Sequence, residues 1–218
     1  MANKQFVVIG MGRFGEAVAK ALYNLNEDVL AIDEDESLVQ DISDEVTHAV
    51  CMDATDEHAL STLGIRNFDV AIVSIGDNLQ ASIMITLILK EAGVKYIVAK
   101  GSNELHAKVL RKVGADRVVL PEKDMGIRVA HNLVSTNILD FVELSPDYAI
   151  IEINAPLEWH NKDILSINVR AKYGVNLIAI KKGDDINVSP VAKDVIKEGD
   201  ILVIIGSSED LAKLENTL

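Results

Sequence analysis

The chain has 218 residues, 49% of them hydrophobic and 25% charged, which fits a globular protein with a sizeable core and excludes a disordered or collagen-like chain. With 21 Lys and Arg against 34 Asp and Glu, its formal charge of −13 repels phosphate backbones and anionic membrane surfaces, so no nucleic-acid partner is expected. The single cysteine, Cys51, excludes an intrachain disulfide.

The first run, "QFVVIG", is strand-like and leads into Gly10, Gly12 and Gly15, a GxGxxG turn that opens a helix with Ala17, Val18, Ala21 and Leu22 on its apolar side. A second strand, "DVLAID", ends at Asp33, close to the spacing of about 20 residues that a dinucleotide-binding unit needs. Gly10 permits the tight turn, Gly12 leaves room for a pyrophosphate against the backbone, and Gly15 lets the helix pack on the sheet. The helix N-terminus supplies unpaired amides and a positive dipole end. Asp33 would accept from ribose hydroxyls and repel a 2′-phosphate, so adenosine lacking that phosphate is favoured. Arg13, inside the turn, offers forked, permanently charged donors to a terminal phosphate that NAD does not have, but it also fits an exposed arginine whose stem lies along the helix.

Further along, a helical pattern over Leu38, Val39 and Ile42 precedes the strand "THAVCMD". The strand "DVAIVSIG" precedes a helix with Leu79, Ile83, Leu87 and Ile88 on one side, and "YIVAKG" and "RVVLP" complete six strands. Nearly continuous apolar strands alternating with helices predict a doubly wound parallel sheet covered on both faces. Asp53 in "CMDAT" and Asn78 in "GDN" fall where strand C-termini meet the ligand crevice, and both also fit helix caps. Lys100 follows the fifth strand on the same edge, and Glu122 opens the next helix, where a glutamate is favoured by the helix dipole alone. Cys51, ending a strand, is expected to be a small core hydrophobe.

Beyond Pro121, "EKDMGIRVAHNLVSTNILDFVEL" places Met125, Val129, Leu133, Val134 and Ile138 near one helical face and predicts a connecting helix. From about Asp140 the pattern changes to "YAIIEINAP", "NLIAIKKGDDINVSP", "EGDILVIIG" and a short helix "SEDLAKLENTL". The hairpin signal Gly183-Asp184-Asp185 and the "KEGD" turn point to a small, mostly antiparallel α+β domain. The domains are therefore expected at 1–139 and 140–218.

The stretch "ASIMITLIL" is too short for a transmembrane helix, and the first residues lack a secretion-signal layout, so a cytoplasmic setting is expected. His48, His58, His106, His131 and His160 are scattered without metal-ligand spacing, and no GxSxG or P-loop lysine motif occurs. Hydride transfer would need a proton donor and a carbonyl-polarising group in a substrate chamber, and none can be assembled from the sequence. A nucleotide bound without being transformed is therefore expected, with a small NAD-dependent oxidoreductase as the alternative. A Rossmann-type repressor would need a basic recognition segment that the chain lacks.

Taken in order, "VVIGMGRFGEAVAKAL", "VLAIDED", "CMDATD", "VSIGDN", "IVAKG" and "VLPEKDMG", followed by the small second domain, closely resemble the RCK family (regulators of potassium conductance), in its stand-alone KtrA/TrkA-type branch. The resemblance implies a Rossmann-like RCK-N domain followed by an RCK-C domain. It also implies no enzymatic activity, homodimers assembled into a homo-octameric ring, and an integral membrane potassium-translocating partner through which the cytoplasmic ring is held at the membrane. The ligands it implies are ATP or ADP, in some members NAD(H), with Mg2+ or Ca2+. By position it assigns the phosphate turn to Gly10, Met11, Gly12, Arg13, Phe14 and Gly15, and the ribose end to Asp33, Glu34 and Asp35. Asp53, Ala54, Ile75, Gly76 and Asn78 match the nucleoside surroundings, Lys100 a phosphate-side lysine, and Glu122 the acidic residue associated with a divalent cation. In RCK-C, Ile164, Arg170, Asn176, Leu177 and Pro190 match a cleft that accepts cyclic di-AMP in related proteins. Arg13 then matches an arginine near the terminal phosphate, which would let ATP and ADP favour different ring shapes.

Overall fold

The computed structural model describes residues 4–134 and 138–215 and divides into two compact units, 1–123 and 124–218. In the first unit, strands β1 (Gln5–Ile9), β2 (Asp28–Asp33), β3 (His48–Cys51), β4 (Val70–Val73), β5 (Tyr96–Lys100) and β6 (Arg117–Val119) alternate with helices. These are α1 (Arg13–Asn24), α2 (Glu36–Ile42), α3 (Glu57–Thr62), α4 (Leu79–Glu91) and α5 (Glu104–Val113), and α6 (Pro121–Val134) follows β6. The sheet order is β3-β2-β1-β4-β5-β6 with every pairing parallel. All six expected strands form, and the order reverses direction between β1 and β4.

The two faces of this sheet have separate cores. Val7, Ile9, Ile32, Val73 and Ile97 point to one, whereas Val8, Val29, Ala31 and Ile72 point to the other. Period-two alternation with both sides covered is why these strands read as unbroken apolar runs.

Two expected helix faces are displaced. On α1 the packed residues are Gly15, Val18, Ala19 and Leu22, with Ala17 and Ala21 exposed. On α4 they are Ala81, Ser82, Ile85, Thr86 and Leu89, while Leu79 and Leu87 are exposed and Ile83 and Ile88 only flank the core. On α4, alanine, serine and threonine are buried because close helix packing favours small side chains, so bulk alone misplaced the stripe. Cys51 is exposed, contrary to expectation, because β3 is the edge strand; its thiol donates to the Glu34 carbonyl at 3.4 Å.

The second unit is antiparallel. Strands β7 (Ile138–Ser145), β8 (Tyr148–Asn154), β10 (Asn176–Lys182), β11 (Asp185–Asn187) and β13 (Ile201–Ser207) form a sheet ordered β11-β10-β13-β8-β7. A separate ribbon pairs β9 (Lys162–Asp163) with β12 (Val195–Ile196), and α7 (Ile164–Ile167), α8 (Val169–Tyr173) and α9 (Ser208–Glu215) complete the unit. The hairpin lies where the sequence puts it: Lys182 pairs with Asp185 across Gly183-Asp184, and Gly183 has φ +60°. Ile138 starts β7 rather than extending the helix, a correction to the reading of 122–144 as one helical stretch. Alternation is hard to see in β7 because its register against β8 shifts twice, between Ile138 and Asp140 and between Glu143 and Ser145. Of the expected face of α6, Met125, Val129 and Leu133 are exposed, and the side chains of His131 and Val134 lie outside the described residues. Arg128 on α6 forms a two-armed pair with Asp140 on β7.

Candidate functional site

A crevice of about 360 Å³ opens at the C-terminal ends of β1, β2, β3 and β4, spanning the point where the strand order reverses. That is where open α/β sheets bind ligands, because loops diverge there to opposite faces. Of the expected residues, Gly10, Gly12, Asp33, Glu34, Asp53, Ala54, Ile75, Gly76 and Asn78 line it. Met52, Thr55, Ser74 and Asp77 also line it, although the sequence reading did not select them.

The glycine turn is built as its spacing requires. Gly10 has φ +96°, and a Cβ on Gly15 would stand 1.8 Å from the Gly10 carbonyl oxygen. Gly12 is the residue before α1, with extended backbone and nothing within 4 Å of where its Cβ would be. The first turn of α1 therefore presents its free N–H groups on a bare approach. Met11 is buried, and its N–H donates to Asp33 Oδ2 at 2.5 Å, while Asp33 Oδ1 accepts the Asp35 N–H at 2.9 Å.

The neighbouring acids differ in their local partners. Asp35 caps α2, accepting from Ser37 N–H at 2.9 Å and from the Ser37 hydroxyl at 2.7 Å; that hydroxyl, with the N–H, holds its carboxyl below the usual range. Asn78 caps α4 through the Ala81 N–H at 3.0 Å. Asp53 caps no helix: α3 is capped by Asp56, and Asp53 accepts the hydroxyl and N–H of Thr55 at 2.7 and 2.8 Å. The Thr55 hydroxyl, then its N–H, lowers the Asp53 pKa.

Lys100 and Glu122 meet at the neighbouring rim. Their ion pair is 2.7 Å long, and Lys100 Nζ lies 3.3 Å from where a Cβ on Gly76 would stand, which brings the ammonium to a crevice-lining loop. The hydrogen bond from Lys100 lowers the Glu122 pKa, and the Arg13 charge contributes in the same direction. Arg13 is exposed and Phe14 half-buried at the start of α1, and neither lines the crevice of the single protomer. For a divalent cation, Glu122 offers one carboxylate, and among the described residues no three His, Cys, Asp or Glu side chains gather to hold a metal ion. Hard cations take six to eight oxygens, so these residues fit one only jointly with phosphate oxygens and water.

In the second unit, Ile164 and Leu177 flank the same apolar core. Pro190 is half-buried beside the segment tied to α7 by Leu165 N–H to Ala192 O at 2.9 Å and Ile164 N–H to Asp194 O at 3.0 Å. Arg170 on α8 and Asn176 at the start of β10 are exposed. No described helix is long and apolar enough to cross a membrane.

The TrkA-N domain family matches residues 6–121 and the TrkA-C domain family residues 148–218. The chain is 50% identical over 213 residues to Ktr system potassium uptake protein C of Bacillus subtilis (strain 168), covering 98% of this chain and 96% of that one. It is 47% identical over 214 residues to Ktr system potassium uptake protein A of the same organism, again covering 98% and 96%. Among solved structures, the GsuK RCK domain superposes with a TM-score of 0.70 at 19% identity, over 99% of this chain and 47% of that one, a likeness of fold. The high-identity relatives are potassium uptake proteins and not enzymes, which overturns the oxidoreductase alternative. A TrkA-N half carrying the glycine turn and a TrkA-C half of antiparallel strands place this chain in the family of the Ktr system potassium uptake proteins.

Proposed function

We propose that this chain is the cytosolic, nucleotide-sensing subunit of a potassium uptake system, and that it controls an integral membrane potassium-translocating subunit. The reading takes residues 1–139 as the nucleotide-binding domain and 140–218 as the regulatory one, in homodimers that assemble as an octameric ring. The observation that carries it is the bare approach to the α1 amides at Gly12, opposite an Asp33 carboxylate held in place by the turn itself. A diphosphate fits the first and a ribose the second.

Within that crevice, the amides of the turn hold phosphate and Asp33 and Glu34 hold ribose, while Arg13, Lys100 and Glu122 form the phosphate-sensing rim. Only ATP would extend a γ-phosphate toward the guanidinium and bring the oxygens that complete a cation site at Glu122. A ligand shifts a conformational equilibrium only by its differential affinity, and inverting a 1:99 population takes about 5.5 kcal/mol. Several subunits responding together make that total reachable. In the second unit, Arg170 and Asn176 offer polar contacts and Ile164, Leu177 and Pro190 apolar ones to a cyclic di-AMP bound across a dimer.

Calorimetry of the purified protein with ATP, ADP and NADH, combined with solution scattering of each complex, tests the reading. Binding of an adenine nucleotide with a different ring shape for ATP and ADP is expected; no binding of any of the three overturns it. Titration of cyclic di-AMP into wild type, Arg170→Ala and Asn176→Ala tests the second site, where large losses in both variants are expected.

A further inference from the structure

We propose that Thr55 is a positioning residue for base selection: it occupies one oxygen of the Asp53 carboxylate and leaves the other to accept from the exocyclic amino group of an adenine. This rests on the nucleotide-binding reading above. Asp53 is exposed and Thr55 half-buried, and both line the crevice, with Met52 and Ala54 beside them.

The order of strands indicates which part of a nucleotide meets Asp53. The glycine turn follows β1, Asp33 closes β2, and Asp53 stands two residues beyond the end of β3, in the sheet order β3-β2-β1. The Met52 N–H donates to the Asp33 carbonyl at 2.8 Å, so the chain passes the acid assigned to ribose immediately before it reaches Asp53. A ligand with its diphosphate at the α1 amides and its ribose at Asp33 therefore carries its base one strand further, about 4.8 Å along the sheet.

The two oxygens of Asp53 are unequal. Oδ1 accepts both the hydroxyl and the N–H of Thr55, at 2.7 and 2.8 Å, which uses its two lone pairs. Oδ2 has no hydrogen-bond partner among the described residues. The same two donors, the hydroxyl first, lower the Asp53 pKa and keep the carboxylate an acceptor only. A single accepting oxygen suits the 6-amino group of adenine, whereas a 6-oxo purine turns another acceptor toward it. A two-armed grip on the N1–H and 2-amino group of guanine needs both carboxylate oxygens, and Thr55 has filled one.

The test measures ADP and IDP affinity by calorimetry in wild type, Asp53→Asn, Thr55→Val and Thr55→Ser, with the melting temperature of each protein. Wild type is expected to prefer ADP about tenfold or more, the scale of one hydrogen bond to a charged group. With Oδ1 still held by Thr55, Asp53→Asn puts an amino donor where Oδ2 stood, so the preference is expected to vanish or reverse. Thr55→Val is expected to cut the ADP-to-IDP ratio roughly threefold or more, and Thr55→Ser, which restores the hydroxyl, to recover it. Equal ADP and IDP affinity in wild type overturns the proposal, as does an unchanged ratio in Asp53→Asn. A parallel loss of both ligands in Thr55→Val with a lowered melting temperature also overturns it, because the hydroxyl then serves the fold alone. Failure of wild type to bind either nucleotide is a separate result, which overturns the nucleotide-binding reading and this inference with it.

Discussion

Asp33 holds the glycine turn from across the crevice: its Oδ2 accepts the Met11 N–H at 2.5 Å, which ties the end of β2 to the loop between β1 and α1. A carboxylate oxygen has two lone pairs, so each oxygen of Asp33 keeps one acceptor position after serving Met11 and Asp35, which the proposed function gives to a ribose hydroxyl. On the proposed function, one side chain thus both shapes the glycine turn and meets the sugar.

Asp33→Ala removes both roles. Adenine-nucleotide affinity is expected to fall roughly 10- to 100-fold, and stability by about 1–3 kcal/mol because the Met11 N–H loses its acceptor in a buried place. Calorimetry and urea unfolding measure the two losses; a variant with wild-type affinity would remove Asp33 from the site.

The turn glycines should separate binding from folding. Gly12→Ala meets nothing within 4 Å, so its stability should stay within about 0.5 kcal/mol of wild type while the added methyl narrows the approach to the α1 amides and ADP affinity drops about tenfold or more. Gly15→Ala would press a Cβ to 1.8 Å from the Gly10 carbonyl oxygen and is expected to cost roughly 1–3 kcal/mol or more. Identical unfolding curves for the two variants would contradict this division.

Arg13 is exposed at the first position of α1, so Arg13→Ala should fold normally. Its ATP affinity is expected to fall about tenfold and its ADP affinity by less, on the scale of a charge-assisted hydrogen bond. If the variant keeps the full preference of wild type for ATP over ADP, the guanidinium does not read the terminal phosphate.

The Lys100–Glu122 pair has a pH signature. The Lys100 hydrogen bond lowers the Glu122 pKa from 4.5, so its stabilisation is complete above the unfolded-state value and disappears as pH falls through the lower folded-state value. In Lys100→Met the Glu122 carboxyl should titrate closer to 4.5, and the stability gap to wild type should narrow as the medium is acidified below that point. Carboxyl-carbon NMR and acid unfolding provide the readouts, and an unmoved Glu122 titration would refute the pairing in solution. The effect is small, because the Glu122 side chain is 70% exposed.

Cys51 should react with a disulfide reagent in the native protein at close to the rate of a free thiol, since it is exposed on an edge strand. Modification only after denaturant is added would return it to the core.

The order of strands and helices in the first unit was legible because six apolar runs, each followed by turn signals, leave little choice but a parallel sheet with both faces covered. Local spacing likewise determined the glycine turn, the distance to Asp33 and the hairpin at Gly183, since each depends on backbone geometry within a few residues or one βαβ unit. What tertiary structure decided were the choices among equivalent local patterns. Sheet order made β3 an edge and exposed Cys51, close packing chose the small-residue face of α4 over Leu79 and Leu87, and register shifts hid β7 after Ile138. The approach of Lys100 to Glu122 was equally beyond the sequence, because it depends on which strand ends and loops the completed sheet brings side by side.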